Sequence, residues 1–265
     1  MEPSAGSVSA MPTPLELAED YTYHVPPRPG FLRVVTDGWT LAVGVSGANV
    51  SRINLPPEGV AEARDDVRRQ LRDLPHLESV TWWCGSRSTP DDLPEQLLEL
   101  GLERDPTDPS LAVLELDQAP AGAPRAEVRR VETFDDFRVA SEVDWEGSGS
   151  TPEAERQLRR ARLPELWDAA LAQGAVHYMG ILDGEVVGYA RAFFLDGAVL
   201  LMGASTLPAV RGRGVYVSLI HARWDDAVAR GTPHLVVQAG AMSRPILERL
   251  GFRKLSEIQL LVDRL

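Results

Sequence analysis

The clearest pattern along the chain is a set of three apolar runs in its second half, each joined to the next by an Asp-Gly dipeptide. The two dipeptides are Asp183-Gly184 and Asp196-Gly197. Asp-Gly tolerates the positive φ angles of a tight hairpin turn, so apolar runs on both sides of it indicate antiparallel strands. The pattern therefore predicts a meander with strands at 176–182, 186–194 and 199–205.

Helix and strand patterns surround this meander. Helices are predicted to begin at Thr133 and at Thr151, because a threonine side chain can accept a hydrogen bond from the first helical turn and Pro152 suits the first helical position. The second helix is expected to reach about residue 172, and residues 144–149 are predicted to be a flexible loop between the two. The remaining elements of this part are a strand at 128–131, a helix after the meander, a strand at 234–238, a helix at 243–250 and a strand at 258–262.

The earlier part of the chain shows a similar alternation. Its helix at 91–100 ends in Leu-Gly-Leu around Gly101, and the helix at 243–250 ends in Leu-Gly-Phe around Gly251. Two helices that end in the same way at matching places suggest a repeat. The other predicted elements are strands at 31–35 and 39–45, a helix at 56–71, and strands at 80–84 and 111–116.

Composition divides the chain into two folded parts. Residues 1–14 are small, polar and Pro-containing, which predicts a disordered tail. The segment 118–124 is made of Gln, Ala, Pro and Gly and is typical of a linker. We therefore predict one domain at 15–118, a linker at 119–125 and a second domain at 126–265. These two domains are called the first half and the second half below.

The segment that follows the meander has the composition of an anion site. It reads Arg211-Gly212-Arg213-Gly214 and leads into a helix. The first N–H groups of a helix have no partners within it, and the helix dipole places partial positive charge there. Glycine lets the backbone approach an anion closely because it has no Cβ. The segment predicts a phosphate site, with an ordinary basic loop as the alternative; it matches neither the P-loop nor the dinucleotide fingerprint.

Net charge and cysteine content limit the kinds of partner and compartment that the sequence allows. The chain of 265 residues carries a net charge of −12, which argues against nucleic acid as the main partner. An anionic coenzyme would need local positive charge at its site, such as that of Arg211 and Arg213. Cys84 is the single cysteine and suits a reducing compartment. No apolar run approaches the roughly 20 residues of a membrane span, and no pair of histidines has metal-site spacing. We therefore predict a cytoplasmic protein with no metal, nucleic-acid or membrane partner.

With these motifs in this order, the chain resembles the GNAT superfamily of acyl-CoA-dependent N-acyltransferases. Residues 211–216 are similar to its signature Q/R-x-x-G-x-G/A, with Tyr216 in the place of the last Gly or Ala, and residues 249–252 are similar to its helix followed by Gly-Phe. Residues 56–58, Pro-Pro-Glu, stand where the first half would have the basic turn. The resemblance implies an α/β (α+β) fold of two tandem GNAT-like domains, each a mixed, mostly antiparallel sheet flanked by helices, with a degenerate first copy.

The resemblance also implies a coenzyme site. Acetyl-CoA is the implied co-substrate, with its pantetheine arm in a gap where the strand ending at Thr206 diverges from the strand at 234–238. A backbone N–H group near Thr206 and Leu207 would polarise the thioester carbonyl. The implied coenzyme-binding residues are Thr206, Leu207, Arg211, Gly212, Arg213, Gly214, Val215 and Tyr216.

The acceptor site and the catalytic groups are less defined by the sequence. The strand at 199–205 has no carboxylate, and Leu247 occupies a place where the family often has a tyrosine, so no general base or acid is assigned. The candidates for the acceptor pocket are Asp144, Trp145, Glu146 and Arg191. Solvated carboxylates, a core tryptophan and a surface ion pair are the alternatives for these residues, and the carboxylates favour a cationic amine.

The sequence therefore predicts an N-acetyltransferase that moves an acetyl group from acetyl-CoA to a primary amine of a small molecule or peptide, as a monomer or homodimer. Two alternatives remain. One is a non-catalytic acyl-CoA-binding regulatory module, and the other is a two-domain interaction scaffold.

Overall fold

The structure is a computed structural model that describes residues 11–27, 31–44, 47–74, 77–149 and 152–265. The strands of this part are β1 (Leu32–Val35), β2 (Thr40–Gly44), β3 (Gly47–Ser51), β4 (Ser79–Cys84), β5 (Glu103–Arg104), β6 (Ser110–Leu116), β7 (Glu127–Arg130), β8 (Val176–Leu182), β9 (Glu185–Phe194), β10 (Val199–Thr206), β11 (Leu235–Ala239) and β12 (Arg253–Arg264). The helices are α1 (Pro14–Glu19), α2 (Tyr21–His24), α3 (Val60–Leu71), α4 (Leu93–Glu99), α5 (Phe134–Ser148), α6 (Glu153–Ala161), α7 (Leu163–Gln173), α8 (Val215–Ala229) and α9 (Arg244–Arg249).

One mixed sheet runs through both halves. Its order is β1-β2-β3-β4-β12-β6-β11-β10-β9-β8-β7, and β5 pairs with β12. The pairs β3–β4 and β10–β11 are parallel, and the other pairs are antiparallel. Successive residues of a strand point to opposite faces, so α5 packs against Met179 and Tyr189, whereas α8 packs against Tyr178 and Ala190 on the other face.

Each half of the sheet contains a strand from the other half of the chain. β6 lies beside β11, and β12 lies beside β4. Their buried side chains follow this exchange, because Leu114 lies in the core beneath α8 and Leu261 lies in the core beneath α3. Truncating a buried leucine to alanine costs about 2–5 kcal/mol, so these strands bind the halves firmly together. The predicted domain boundary at 119–125 stays a prediction. It divides the chain in sequence, whereas the two cores share strands across it.

The repeated helix end has the same geometry in both halves. Gly101 has a φ of 92° and Gly251 a φ of 103°, in the region that favours glycine. In each half, the N–H group of the residue after the glycine bonds a carbonyl five residues earlier at 3.1 Å, which is a Schellman cap. The bonded pairs are Leu102 with Leu97 and Phe252 with Leu247.

The predicted loop at 144–149 is wrong, because all but its last residue belong to α5, which ends at Gly149 with a φ of 67°. Gly147 suggested a break, yet here it permits close packing. A Cβ at Gly147 would lie 3.0 Å from the Cβ of Ser205 on β10. Without a side chain at this position, the end of α5 can approach β10 directly.

The helix predicted from Thr151 to about residue 172 is two helices, α6 and α7, separated at Arg162. Pro164 lies in the first turn of α7, where its missing N–H group does no harm, whereas in a continuous helix its ring would clash with the preceding turn. Thr151 itself lies outside the described residues, so its predicted role as a cap stays a prediction.

Three elements near the start of the chain, α1, α2 and β3, were not predicted. The strand β3 has the sequence GANVS, whose Gly and Asn are poor strand formers, and it forms between β2 and β4. The helix α1 begins with a capping box made by Thr13 and Glu16. Its residues Leu17 and Ala18 are buried in a cluster with Val236 of β11. Residues 1–10 of the predicted tail and Val45 lie outside the described residues.

Candidate coenzyme and acceptor site

The parallel strands β10 and β11 stay paired over a short distance and then diverge. Residues 199–201 lie opposite residues 235–237. From Met202 onward, β10 pairs only with β9 among the described strands, and a bulge between Met202 and Ala204 places Gly203 at a φ of 53°. The edge of β10 that faces β11 is therefore open to an extended ligand, which can bond to it as an added strand would.

Beyond β10, the chain enters α8 through two left-handed glycines. Gly212 has a φ of 80° and Gly214, the N-cap of α8, has a φ of 89°. The helical bonds of α8 begin at Ser218, whose N–H group donates to the Gly214 carbonyl at 3.0 Å. The N–H groups of Val215 and Tyr216 precede this bond, so they can donate to an anion. The predicted phosphate turn thus lies at a helix N-terminus.

Arg211 fastens this turn to the end of α5. Its Nη2 atom donates to the Gly147 carbonyl at 2.8 Å, and its Nε atom donates to the Thr206 carbonyl at 3.3 Å. Carbonyl partners leave the charge of the guanidinium uncompensated. Arg211 therefore adds positive charge near the turn and also holds the ends of α5 and β10 together.

Two further arginines lie beside the turn. Arg213 forms an exposed ion pair with Asp183 at 2.9 Å, and such pairs contribute only about 0–1 kcal/mol. Arg125, which the sequence pattern placed in the linker, lies against Gly214, where a Cβ would come within 3.0 Å of its side chain. The backbone N–H group of Arg125 donates to the Ser218 Oγ atom at 2.8 Å and fixes this approach. Sequence reasoning missed Arg125 because only the fold brings it to α8.

Thr206 and Leu207 differ in what they can offer a coenzyme. The Leu207 N–H group donates to the Val187 carbonyl at 2.9 Å. It is therefore not available for the role expected of it, which is to polarise a thioester carbonyl. The Thr206 Oγ1 atom is buried and has no hydrogen-bond partner among the residues that the structure describes. A buried hydroxyl without a partner is unfavourable, and a ligand in the gap between β10 and β11 would supply one.

The side chains of Val215 and Tyr216 belong to the helix–sheet core. Val215 is buried, and a Cβ at Gly188 would lie 2.5 Å from its Cγ1 atom. Tyr216 packs against the same core, and burial raises the pKa of its hydroxyl. At these two positions, the backbone N–H groups are the parts of the turn suited to phosphate.

A cleft of about 670 Å³ lies on the α5 face of the sheet and reaches β10 at Gly203. Residues of both halves of the chain form its walls. From the first half these include Tyr21, Phe31 and Asn49, and from the second half they include Phe137, Asp144, Trp145, Arg159, Arg162, His177, Tyr189 and Arg191.

Asp144 is a carboxylate of this cleft wall. It accepts a hydrogen bond from the Ser205 Oγ atom at 3.0 Å. Burial raises the pKa of Asp144, while the bond from Ser205 and the charge of Arg191 oppose the rise. A carboxylate with a raised pKa close to a reaction centre is suited to accept a proton.

His177 and Tyr189 form a second polar group in the wall, and sequence reasoning missed both. The His177 Nδ1 atom lies 2.9 Å from the Tyr189 hydroxyl, and the Nε2 atom of His177 is buried with no partner in the segments that the structure describes. Burial and the charge of Arg191 lower the pKa of His177 to about 4, so the imidazole is neutral at pH 7. A signal was present, because His177, Tyr189, Arg191 and Ser205 occupy positions of one face in the meander.

The other predicted pocket residues divide between cleft and solvent. Trp145 lines the cleft and packs with Phe137, so it serves as both wall and core. Glu146 is exposed and does not line the cleft.

Several other kinds of site find no support in the described residues. Burial raises the pKa of the Cys84 thiol to about 12, which makes it a poor nucleophile. Among residues 11–27, 31–44, 47–74, 77–149 and 152–265, no group of three His, Cys, Asp or Glu side chains could hold a metal ion. None of the helices described above is long and apolar enough to cross a membrane.

Solved structures of N-acetyltransferases share this fold. A GCN5-related N-acetyltransferase from Kribbella flavida matches with a TM-score of 0.64 and 15% identity, over 88% of this chain and 90% of its own. A tandem GNAT protein from the clavulanic acid biosynthesis pathway, solved without AcCoA, matches with a TM-score of 0.62 and 17% identity, over 90% and 84%. A GCN5-related N-acetyltransferase from Sphaerobacter thermophilus matches with a TM-score of 0.60 and 16% identity, over 87% of this chain and 82% of its own.

No protein-family model and no curated protein matches the sequence. The similarity is thus one of structure, at low sequence identity. It confirms that the chain has the tandem GNAT fold predicted from its motifs.

Proposed function

We propose that this protein is an acyl-CoA-dependent N-acyltransferase that moves an acetyl group from acetyl-CoA to a primary amine. The observation that carries the proposal is the path from the open edge of β10 to the glycine turn of α8. This path offers an edge for an extended arm and N–H groups for phosphate, and Thr206 adds a buried hydroxyl that lacks a partner in the described part of the chain.

The charges around the turn support an anionic coenzyme. Arg125, Arg211 and Arg213 lie at or beside it, and Asp183 is the carboxylate paired there. The excess positive charge contrasts with the net charge of −12 of the whole chain. Charge of one sign concentrated at a site attracts the oppositely charged ligand.

Asp144 is the proposed proton acceptor. In the reaction, the amine nitrogen attacks the thioester carbon, the C–S bond breaks, and the nitrogen loses a proton while the thiolate gains one. The hydrogen bond from Ser205 fixes Asp144 beside β10, and its raised pKa matches the role of a base. The Tyr189 hydroxyl, held by His177, is the proposed donor to the thiolate.

Calorimetric titration with acetyl-CoA tests the coenzyme site. We expect one site per chain, with affinity lowered at least about tenfold in Arg213→Glu, since this change reverses a charge at the turn. Arg72→Glu is the matched control, because Arg72 is an exposed arginine at the end of α3. Absence of binding at millimolar acetyl-CoA would overturn the proposal and favour the interaction scaffold.

Thiol release in the presence of an amine panel separates the enzyme from a regulatory module. The proposed enzyme releases coenzyme A in an amine-dependent manner and forms an N-acetylated product. Binding of acetyl-CoA without any product across the panel would instead support the non-catalytic alternative.

A further inference from the structure

The cleft beside Asp144 has a charge balance opposite to that of the whole protein. Its walls contain the cations Arg159, Arg162 and Arg191 and the carboxylates of Asp144 and Glu155, an excess of one positive charge. A site for an acceptor with only cationic groups would show the opposite balance.

Local ion pairs leave one of these cations without a partner. Arg159 pairs with Glu155 at 2.5 Å, and Arg162 pairs with Glu165 at 2.9 Å at the exposed rim. The Arg191 side chain is half-buried and makes no hydrogen bond or ion pair with any residue that the structure describes. A guanidinium has five N–H donors, and leaving them unsatisfied in a partly buried wall is unfavourable.

Arg191 lies close to the place where the acyl group would be held. It is paired across the strands with Met202, and its Nε atom lies 3.7 Å from the position of a Cβ at Gly203, in the bulge of β10. Its charge also acts on Asp144 and on His177. A cation and a proton acceptor thus share one small region of the wall.

The cleft also has an apolar and aromatic part. Phe137, Trp145 and Leu166 form one side, where they pack in a common cluster. Tyr21 and Phe31, from the first half, contribute to the lining as well. These surfaces suit a bulky apolar group, since burial of such a group is favourable at about 25 cal/mol per Å².

We infer that the acceptor is an amino acid, or a close analogue of one, with a large apolar side chain. Its amine would lie at Asp144, its carboxylate would bind Arg191, and its side chain would enter the aromatic part of the cleft. This inference rests on the proposed function for the transfer step, but it can be tested by binding alone. It replaces the expectation of a purely cationic amine, which treated Glu146 as part of the pocket.

The inference also gives the first half a role. That half has no glycine turn of its own, yet Tyr21, Phe31 and Asn49 complete the cleft. The Nδ2 atom of Asn49 is buried, has no partner within the described ranges of the chain, and is a further donor at this wall.

Three matched probes test the inference by calorimetry in the absence of coenzyme and by product formation with acetyl-CoA. They are L-phenylalanine, L-phenylalaninamide, which lacks the carboxylate charge, and L-alanine, which lacks the large side chain. We expect L-phenylalanine to bind about 10- to 100-fold more tightly than the other two, as expected for a charge-assisted hydrogen bond and a buried ring. Arg191→Gln should remove the preference for the acid over the amide, and Arg72→Gln should keep it.

The outcomes separate this inference from the proposed function. Binding of L-phenylalanine with no acetylated product would support the cleft assignment and contradict the transferase. Acetylation of the amide as efficiently as the acid, or an unchanged preference in Arg191→Gln, would contradict the cleft assignment and leave the transferase. Circular dichroism of Arg191→Gln shows whether the variant is folded.

Discussion

Both halves have a parallel strand pair and a 3-10 turn that leads into a helix, but the turns before the two helices differ. In each half, two parallel strands pair over three residues, and a short 3-10 turn then leads into a helix. The second half places Gly212 and Gly214 in left-handed conformations before α8. The first half has Pro57 and Glu58 in its turn, which removes one N–H group and adds a negative charge.

The space beyond the parallel strands also differs. In the first half, the carboxylate of Glu19 accepts hydrogen bonds from the N–H groups of Ser86 and Arg87 at 2.9 and 3.2 Å, just after β4. It also accepts one from the Ser256 hydroxyl at 2.6 Å. An internal carboxylate thus satisfies the donors that follow β4, whereas the donors at the start of α8 remain available. The comparison shows that the framework alone does not make an anion site.

The largest expected effect concerns the chemistry of the second half. We expect Asp144→Asn to lower kcat by about 10²–10⁴, the usual contribution of a general base, while acetyl-CoA still binds, because Asn keeps an acceptor for Ser205. Steady-state kinetics and calorimetry measure the two quantities. Because burial raises the pKa of Asp144, the rate of the unaltered protein should rise with pH through a pKa above the usual range of a carboxyl group, and the variant should lack this rise.

Glu146→Gln is the matched control for Asp144→Asn, since Glu146 is exposed and lies outside the cleft lining. An unchanged kcat in Asp144→Asn would exclude Asp144 as the base. The proposed chemical difference between the two halves would then lose its support.

The next effect concerns the internal carboxylate of the first half. Glu19→Ala should lower the free energy of unfolding by about 3 kcal/mol, since it leaves buried N–H and hydroxyl groups without partners. Chemical denaturation measures this loss, and Glu62→Ala on the exposed side of α3 should change little. Equal stability of the two variants would show that the bonds of Glu19 do not hold α1 in place.

The smallest effect concerns the glycine turn. Gly214→Ala should lower the free energy of unfolding by about 1–3 kcal/mol, because a φ of 89° strains any residue with a Cβ and the new atom would crowd Arg125. Gly212→Ala has a similar φ but no atom within 4 Å of its new Cβ, so its cost should be smaller. Thermal unfolding compares the two, and a larger cost at Gly212 would contradict the role of the Arg125 contact.

Much of the fold follows from local patterns. The Asp-Gly dipeptides set two hairpin turns, and residues 176–206 form the predicted meander. Gly101 and Gly251 end their helices as the repeat suggested. These features depend on neighbours along the chain, so the sequence shows them directly. The sequence did not predict the break before Pro164 or the helical conformation of Gly147. Proline can lie in the first turn of a new helix, and glycine can lie within a helix as well as in a loop.

The candidate site was predictable only in part. The turn from Arg211 to Gly214 is a local motif, and both of its glycines have positive φ angles, which favour glycine. The pair of His177 and Tyr189 and the bond from Ser205 to Asp144 join residues from different elements. Strand alternation places three of these residues on one face of the meander, but the spacing along the chain does not show which side chains meet.

By itself, the sequence determined the meander, the glycine helix ends at Gly101 and Gly251 and the glycine turn, since each depends on propensity and on contacts within a few residues. Only the tertiary structure decided that β6 and β12 exchange halves, that Arg125 reaches α8, and that Arg191 lines a cleft without a partner among the described residues. Those outcomes depend on packing between segments far apart in the chain, where the burial of apolar surface and the pairing of charges select one arrangement.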